Sequence, residues 1–282
     1  MLKRSDSLNY VSDDPASEAT RQLERDGHCI LRGVFTSDEV AALRAELEQV
    51  YATLPPEMRN SAISPAVGEM YRYQLFHHSP LCQQAIARRA ILDVLEPLLG
   101  WDCHVIACTG WRNPPGEALT PHGLQWHIDS GPFVPRQAGT PWPEHIPYPI
   151  FIVGTHIYLQ DVDLADGPTA CIPGSHTSGL VPPFERLWDD DLEHEGRRAV
   201  HHVARAGDVD FRVSDVWHRR WPPAAGARGR FFVQTNYARR DIAQRVLPTD
   251  AVNHASAASL ARCQSDRERR LLGLHPQSYF DA

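Results

Sequence analysis

The decisive stretch of this 282-residue chain covers residues 125–132 and reads Gln-Trp-His-Ile-Asp-Ser-Gly-Pro. Side chains two residues apart on a β-strand point to the same face, so His127 and Asp129 are predicted to face one site. A third candidate, His218, ends the later stretch Asp-Val-Trp-His. Two imidazoles and one carboxylate can occupy one face of an octahedral metal ion and leave the other face open, as in non-haem Fe(II) oxygenases. The pattern therefore predicts that these three residues form a catalytic metal site.

The sequence around this stretch has the pattern expected of a β-sandwich or jelly roll. From residue 103 onward, short apolar or alternating runs are separated by Gly and Pro, which is typical of such folds. Strands are expected over residues 105–109, 124–129, 150–159, 170–173, 200–203, 208–213 and 230–237. The earlier part of the chain carries one strand signal at residues 28–34 and helical signals, including a capping box at Thr36. Helices are expected over residues 18–26, 36–50 and 79–100.

Composition narrows the class of protein. The net charge of −7 argues against a nucleic-acid partner, because a phosphate backbone demands a basic face. The amino terminus lacks the apolar core of a signal peptide, and no apolar run is long enough to span a bilayer. The six cysteines form no Cys-x-x-Cys pair, which disfavours a zinc or redox motif. We therefore expect a cytoplasmic protein with reduced thiols and no membrane partner. The oligomeric state is not predicted.

Several motifs together make the chain resemble the phytanoyl-CoA dioxygenase family of Fe(II)/2-oxoglutarate oxygenases, from about residue 26 to Tyr237. The matching motifs are Trp-His-Ile-Asp at 126–129, Asp-Gly-Pro at 166–168, Ile-Pro-Gly-Ser-His at 172–176, Ala-Gly-Asp-Val at 206–209, Trp-His at 217–218, and Arg230. There are two departures. Family members usually carry Asn where this chain has Asp166, and their interval from the last histidine to the arginine differs by a residue or so from the twelve here.

The resemblance implies a fold and an activity. The expected fold is mainly β with flanking helices and a double-stranded β-helix (jelly-roll, cupin-like) core. One domain over residues 1–282 would comprise a helical buttress at 16–100, the core at 101–240 and a C-terminal helical extension at 241–282. Fe(II) would be the cofactor, with 2-oxoglutarate and O2 as co-substrates. The expected reaction is hydroxylation of an unactivated C–H bond of a small molecule, as in natural-product or secondary metabolism. Asp129 disfavours halogenation, which needs a vacant coordination position.

An arginine is expected to bind the distal carboxylate of 2-oxoglutarate with two charge-assisted hydrogen bonds. We favour Arg230, which matches the family's spacing to Tyr237. Arg228 shares its strand parity and is the rival, although Gly229 suggests that it still belongs to the turn. Two further cofactor-binding candidates follow from the family resemblance: His156, which is as readily a core or rim histidine, and Arg112, which is as readily a turn residue on the surface.

The proline-rich segment 132–149 contains six prolines and no periodic pattern. A long connection without regular structure inside a compact domain is often functional, so it is interpreted as a lid over the substrate. The alternative is a passive surface loop. Substrate specificity is expected to lie in this segment and in the chain before the core strands, and the candidates are Tyr71, Arg72, Tyr73, Phe133, Arg136, Trp142 and Arg239.

Three other functions stay open at this point. The same cofactors could support desaturation, epoxidation or ring formation, because the outcome depends on how the substrate lies. A cupin-like metalloenzyme could act without 2-oxoglutarate. A catalytically silent ligand-binding scaffold is the third alternative. Solvent exposure of both Arg228 and Arg230 would favour an enzyme that does not use 2-oxoglutarate.

Overall fold

The computed structural model describes residues 15–53, 71–73, 75–113, 124–129, 132–143, 145–242 and 256–274. Its centre is a pair of facing antiparallel sheets. The large sheet has six strands in the order β1-β9-β4-β11-β3-β2 and the small sheet has three in the order β10-β5-β8. In chain order the strands are β1 His28–Leu31, β2 Tyr71–Tyr73, β3 His104–Asn113, β4 Ile152–Tyr158, β5 Thr169–Cys171, β6 Glu193–His194, β7 Arg197–Arg198, β8 Val200–His201, β9 Val209–Val213, β10 His218–Arg220 and β11 Arg230–Ala238. Strands β6 and β7 pair only with each other.

The helices precede and follow this core in the chain. They are α1 Pro15–Asp26, α2 Ser37–Thr53, α3 Leu75–His78, α4 Pro80–Ile86, α5 Arg89–Leu99, α6 Ala257–Arg262 and α7 Asp266–Leu271. The capping box predicted before α2 is present. The amide of Thr36 donates to the Glu39 carboxylate at 2.9 Å, and the amide of Glu39 donates to the Thr36 hydroxyl at 3.3 Å. These two bonds satisfy amides that the first turn of a helix leaves without a partner.

The single helix expected over residues 79–100 is instead two helices. Helix α4 ends at Ile86, and Arg88 takes an extended backbone conformation with ψ 125° before α5 begins. A ψ in that range cannot continue an α-helical hydrogen-bond ladder, so the chain turns between Ala87 and Arg88. The apolar residues of both helices still face the same core.

The two faces of the large sheet differ in chemistry. One face packs against α1, α2, α4 and α5 in the main apolar core, which includes Phe231, Val233 and Leu47. The opposite face, called the inner face below, looks toward the small sheet. It is crossed by polar contacts such as the 3.4 Å hydrogen bond from Arg212 Nη1 to Thr169 Oγ1. Because side chains alternate along a strand, one strand serves both the apolar core and this polar interior.

The strand expected over residues 124–129 is reduced to an isolated bridge between His127 and His218. Its amides donate to separate parts of the chain: Trp126 to the carbonyl of Leu187 at 2.8 Å, His127 to that of His218 at 2.9 Å, and Asp129 to that of Ser214 at 3.2 Å. A ladder needs one continuous partner strand, and only His127 meets one here. Strand alternation therefore does not by itself explain how His127 and Asp129 come together.

Two further expectations concern compartment and membrane. Among the described helices, none combines the length and the apolar character that crossing a membrane requires. All six cysteines are free, and five of them are buried. Sulfur atoms of Cys82 and Cys108 lie 3.8 Å apart without a covalent bond, so these thiols pack as small apolar groups.

Candidate metal centre

The three residues predicted to bind a metal converge in space. Ligand atoms of His127, Asp129 and His218 all lie within 4.8 Å of one another. Nε2 of His218 lies 3.5 Å from Oδ1 of Asp129. Three donor atoms this close, from two imidazoles and one carboxylate, suit a first-row divalent metal that keeps open positions for other ligands.

Backbone hydrogen bonds hold the two imidazoles side by side. The amide of His127 donates to the carbonyl of His218 at 2.9 Å, and the reverse bond is 3.0 Å. The ring centroids are 4.4 Å apart. His127 thus extends the small sheet beside β10, and the carboxylate of Asp129 reaches the pair from the loop that follows.

Each ring is oriented by a carbonyl of its own chain. Nδ1 of His127 lies 2.7 Å from the carbonyl oxygen of Gln125, and Nδ1 of His218 lies 2.9 Å from that of Val216. A carbonyl can only accept, so the proton of each neutral ring sits on Nδ1. That tautomer leaves the Nε2 lone pair of both histidines free to bind a metal.

The ionisation states also suit a metal. Burial, followed by the proximity of His218, lowers the pKa of His127 to about 4. Burial alone would raise the pKa of the Asp129 carboxyl, but its contact with His218 and the positive charge of Arg212 hold that pKa well below its usual range. At neutral pH the site therefore offers an uncharged His127 ring and a carboxylate, which are the forms that metals bind.

A buried polar network lies beside the centre on the inner face. Nη2 of Arg212 donates to Nε2 of His156 at 2.8 Å. Nδ1 of the same ring faces Oδ2 of Asp210 at 3.3 Å, and this carboxylate also accepts from the hydroxyl of Tyr158 at 2.8 Å and lies 3.1 Å from Nδ1 of His202. Burial, followed by the charge of Arg212, lowers the pKa of His156 to about 4. His156 is therefore a neutral ring fixed between a guanidinium and a carboxylate.

Arg230 lies on the inner face of β11. It is 7% exposed, its Nε donates to Oδ1 of Asn113 at 3.0 Å, and its guanidinium lies 5.1 Å from the ring centre of Phe232. Burial lowers the pKa of Arg230 well below its ordinary value, and the positive charges of Arg220 and Arg212 lower it further. Since arginine keeps its proton in proteins, this shift expresses the cost of a buried cation among other cations.

Arg228, the rival of Arg230, lies outside the interior. Its side chain is 54% exposed, and it forms ion pairs with Asp163 at 2.8 Å and with Asp166 at 2.5 Å. Asp166 also accepts a 2.9 Å hydrogen bond from the Arg228 amide. The guanidinium is thus occupied in stabilising the turn before β11, and this placement favours Arg230 over Arg228 as the cofactor-binding arginine.

Arg112 also lies away from the interior, so its placement does not favour the expected role near the co-substrate. In the β11–β3 register Arg112 is opposite Phe231, whose ring belongs to the helix-covered core. Directly opposite residues in an antiparallel pair share a face. Its side chain is 42% exposed and forms an ion pair with Glu48 of α2, and it stacks 4.5 Å from the ring centre of Tyr51.

Three substrate candidates, Tyr71, Arg72 and Tyr73, lie on β2. Arg72 is opposite Gly110 and is 1% exposed, with its guanidinium 4.5 Å from the Tyr51 ring centre on the helix-covered face. Its contacts are therefore those of a buried core residue. Tyr71 and Tyr73 occupy neighbouring register positions, but their side chains lie outside the described residues.

The four remaining substrate candidates cluster near segment 132–149. Phe133 stacks on Phe151 with ring centres 5.1 Å apart, and Arg239 lies 4.9 Å from the same Phe151 ring. Arg136 lies 5.4 Å from the ring centre of Trp142. These contacts make two small aromatic–arginine groups, one at the start of the segment and one within it.

The described residues of segment 132–149 contain no helix or strand, yet both of its ends attach to one carboxylate. The amide of Phe133 and the hydroxyl of Tyr148 each donate to Oδ2 of Asp215 at 3.0 Å. Asp215 is 4% exposed and precedes His218 by three positions. The segment is thereby fixed to the chain that carries a metal-ligand candidate.

Three charged residues of the interior were missed by the sequence analysis: Asp210, Arg212 and Arg220. A signal for two of them was present, because Asp210 and Arg212 interrupt the apolar strand Val-Asp-Phe-Arg-Val at the same parity. A charged pair on one face of an otherwise apolar strand indicates a polar interior on that face. Arg220 follows His218 at the same parity on β10.

Two facing sheets with this triad define a jelly-roll protein with a His-Asp-His centre. The model of the family described as phytanoyl-CoA dioxygenase (PhyH) matches residues 23–220. Since that span covers more than half of the chain and contains all three triad residues, the chain belongs to the phytanoyl-CoA dioxygenase family. The resemblance drawn from the sequence motifs is confirmed.

Two named relatives support the same assignment. Ectoine dioxygenase of Bordetella parapertussis (strain 12822) is 24% identical over 186 residues, which cover 62% of this chain and 56% of that protein. L-proline trans-4-hydroxylase of Streptomyces griseoviridis is 25% identical over 214 residues, covering 76% and 73%. The match thus spans little more than half the length of the ectoine dioxygenase.

The solved structure is that of the epimerase SnoN, described as a complex with Fe3+, alpha ketoglutarate and nogalamycin RO. It has a TM-score of 0.61 at 19% identity and covers 86% of this chain and 93% of SnoN. At this identity the likeness shows the fold alone. It confirms the expected jelly-roll core.

Proposed function

We propose that this protein is an Fe(II)- and 2-oxoglutarate-dependent dioxygenase that hydroxylates an unactivated C–H bond of a small molecule. The observation that carries the proposal is the convergence of His127, Asp129 and His218 in a jelly roll that also buries Arg230. Within the described residues, the one hydrogen bond of the Arg230 side chain is to Asn113. A metal centre and a carboxylate-binding cation inside one jelly roll are the parts that such a reaction needs.

The donor set fits Fe(II). Both histidines have Nδ1 engaged by a carbonyl, so their Nε2 atoms are the ones available to the ion. Asp129 supplies the carboxylate and one negative charge. Bound Fe(II), together with 2-oxoglutarate and O2, supplies an oxidant capable of attacking an unactivated C–H bond, with succinate and CO2 as co-products.

The protein's own residues hold and orient the reactants. Arg230 binds the carboxylate of 2-oxoglutarate that is remote from the metal, through the guanidinium edge that Asn113 leaves free. Arg212 keeps His156 neutral and fixed at the wall of the same interior, where the ring can contact the co-substrate. A fixed, water-poor wall of this kind favours productive orientation.

The substrate is proposed to be a small molecule held between the open side of the centre and segment 132–149. The relatives named above are a dioxygenase of ectoine and a hydroxylase of proline, both small polar compounds. Phe133, Arg136, Trp142 and Arg239 are the proposed contacts, and the segment acts as a lid that excludes water. Six free cysteines fit a reducing compartment, and the cytoplasm is proposed on that ground.

One experiment tests the proposal directly. Anaerobic addition of Fe(II) and 2-oxoglutarate to the purified chain should produce the weak visible charge-transfer band of the chelate. No band would contradict the use of 2-oxoglutarate and would favour a cupin-like metalloenzyme or a binding scaffold. Product analysis with candidate substrates then separates hydroxylation from desaturation, epoxidation and ring formation.

A further inference from the structure

Like Arg230, Arg220 is a buried arginine of the interior that forms no ion pair with a carboxylate among the described residues. It is 9% exposed, and its Nε has no hydrogen-bond partner among the described residues. No salt bridge to it is found in the described part of the chain. Leaving a guanidinium buried and unpaired is costly, so its presence calls for a ligand.

The strand register places Arg220 on the inner face of the small sheet. It shares parity with His218 on β10, whereas Arg219 between them points outward to Asp190 at 2.9 Å. Arg220 is opposite Thr169 on β5, and Thr169 accepts a hydrogen bond from Arg212 of the large sheet. Both relationships put the Arg220 guanidinium in the space between the sheets.

The charges of this interior do not balance. Arg212 is matched by Asp210, at 4.0 Å, and Asp166 is matched by the exposed Arg228. Arg220 and Arg230 form no ion pair among the described residues, although Asp166 attracts Arg220 from beyond ion-pair distance. The positive charge of Arg220 also lowers the pKa of Arg230. Two unmatched guanidinium groups facing one space form an attractive site for a single carboxylate, whose two oxygens can each accept from one of them.

We propose that Arg220 and Arg230 together bind one carboxylate between them, and that this is the remote carboxylate of 2-oxoglutarate. The inference rests on the proposed function and adds Arg220 as a co-substrate-binding residue of this chain. Residues two apart on a strand are separated by about 7 Å. A five-carbon diacid anchored next to His218 by its 2-oxo acid end therefore has its other carboxylate near Arg220.

The test compares two acids that differ only at the far end. 2-Oxoglutarate carries the second carboxylate, whereas 2-oxobutanoate shares the 2-oxo acid end and lacks it. Binding of each to the full chain is measured by anaerobic calorimetry with Fe(II). Arg220→Leu should weaken 2-oxoglutarate binding by about thirtyfold or more and leave 2-oxobutanoate binding unchanged. Arg228→Leu, which removes an exposed arginine near the same strand, should leave both affinities unchanged.

Thermal unfolding without ligand supplies a second, independent signature. Removing an uncompensated buried charge should raise the melting temperature of Arg220→Leu by roughly 2–4 °C, while the rise that 2-oxoglutarate causes in the wild type should be lost. Arg228→Leu should melt lower, because it leaves the buried Asp166 carboxylate without its partner. A purely structural Arg220 would give a lower melting temperature and an unchanged affinity.

The outcomes separate the two proposals. Unchanged 2-oxoglutarate affinity in Arg220→Leu, with loss in Arg230→Leu, overturns the role of Arg220 and assigns that arginine to another anion, such as a substrate carboxylate. No Fe(II)-dependent binding of either acid by the wild type overturns the proposed function itself. Arg220→Lys keeps the charge without the planar fork and should bind with intermediate affinity. If neither Arg220→Leu nor Arg220→Lys folds, the guanidinium of Arg220 is needed for the structure, and this result would also overturn the inference.

Discussion

His127 and His218 exchange two backbone hydrogen bonds, at 2.9 and 3.0 Å, although about ninety residues of chain separate them. The pair sets the spacing of the two imidazoles before any metal arrives. Because their Nδ1 atoms are held by carbonyls, only their Nε2 atoms can turn toward an ion. The centre is therefore organised by the backbone, and replacing one ring should not disturb the other.

Removing either imidazole should abolish metal-dependent turnover of 2-oxoglutarate. His127→Ala and His218→Ala each lose a coordination bond that no neighbouring group replaces, while the backbone bridge and the fold persist. Succinate formation measures turnover, and circular dichroism checks the fold. His78→Ala is the matched control, since His78 is exposed on α3. Retained succinate formation in either variant would remove that histidine from the centre.

The two arginines near the start of β11 should behave differently. Arg230→Leu should raise the concentration of 2-oxoglutarate needed for half-maximal turnover by tens- to thousands-fold, because a buried charged pair worth roughly 2–5 kcal/mol is truncated. Arg228→Leu should change it little, since that side chain pairs with Asp163 and Asp166 outside the interior. Steady-state kinetics decide between them, and the reverse order would assign the co-substrate to Arg228.

Stability should fall on mild acidification. Burial lowers the pKa of His156 and of His176 to about 4, whereas a histidine in the unfolded chain titrates near 6.5. Between these values the unfolded chain binds protons that the folded chain does not, so the free energy of unfolding is highest above about pH 6.5 and decreases down to about pH 4. The loss is roughly 3 kcal/mol for each ring.

Urea unfolding at several pH values across that window measures the effect. His145→Gln serves as the control, because His145 is exposed and its replacement should leave the pH dependence unchanged. A free energy of unfolding that stays constant from pH 6.5 to pH 4 would contradict the prediction and would mean that these rings titrate normally.

Deleting residues 137–144 tests the lid. The ends of the segment are attached to Asp215 through Phe133 and Tyr148, so the deletion should leave the core and the binding of Fe(II) and 2-oxoglutarate intact. Without the lid, water reaches the reacting centre, and succinate should form without an equal amount of hydroxylated product. An unchanged ratio of succinate to product would make the segment a surface loop.

Much of the architecture could be predicted from local patterns. The capping box at Thr36, the alternation along β11 and the short apolar runs after residue 103 each follow from physics that acts within a few residues. Expected and observed strands agree most closely for β4, β9 and β11. The break between α4 and α5 was missed, because it depends on one residue adopting an extended conformation and leaves the apolar spacing unchanged.

The metal centre, too, could be predicted only in part. The sequence identified the residues that could bind a metal, because His127, Asp129 and His218 lie in recognisable motifs. The reason given for pairing His127 with Asp129 was not correct, because the chain at 124–129 forms no strand and its amides bond to three separate segments. Convergence of their side chains comes from those long-range bonds.

The sequence by itself determined the fold class, the family and the chemical identity of the metal-ligand candidates, because periodicity and motif spacing are local properties. Only the tertiary structure decided which face each arginine occupies. Arg228 and Arg230 have the same strand parity, yet their side chains lie in different places. Arg228 pairs with Asp166 outside the interior, whereas Arg230 is buried and bonds to Asn113. Arg112 and Arg72 face the helices, while Arg212 and Arg220 face the interior. Burial and pairing depend on residues far away in the chain, and no local pattern records them.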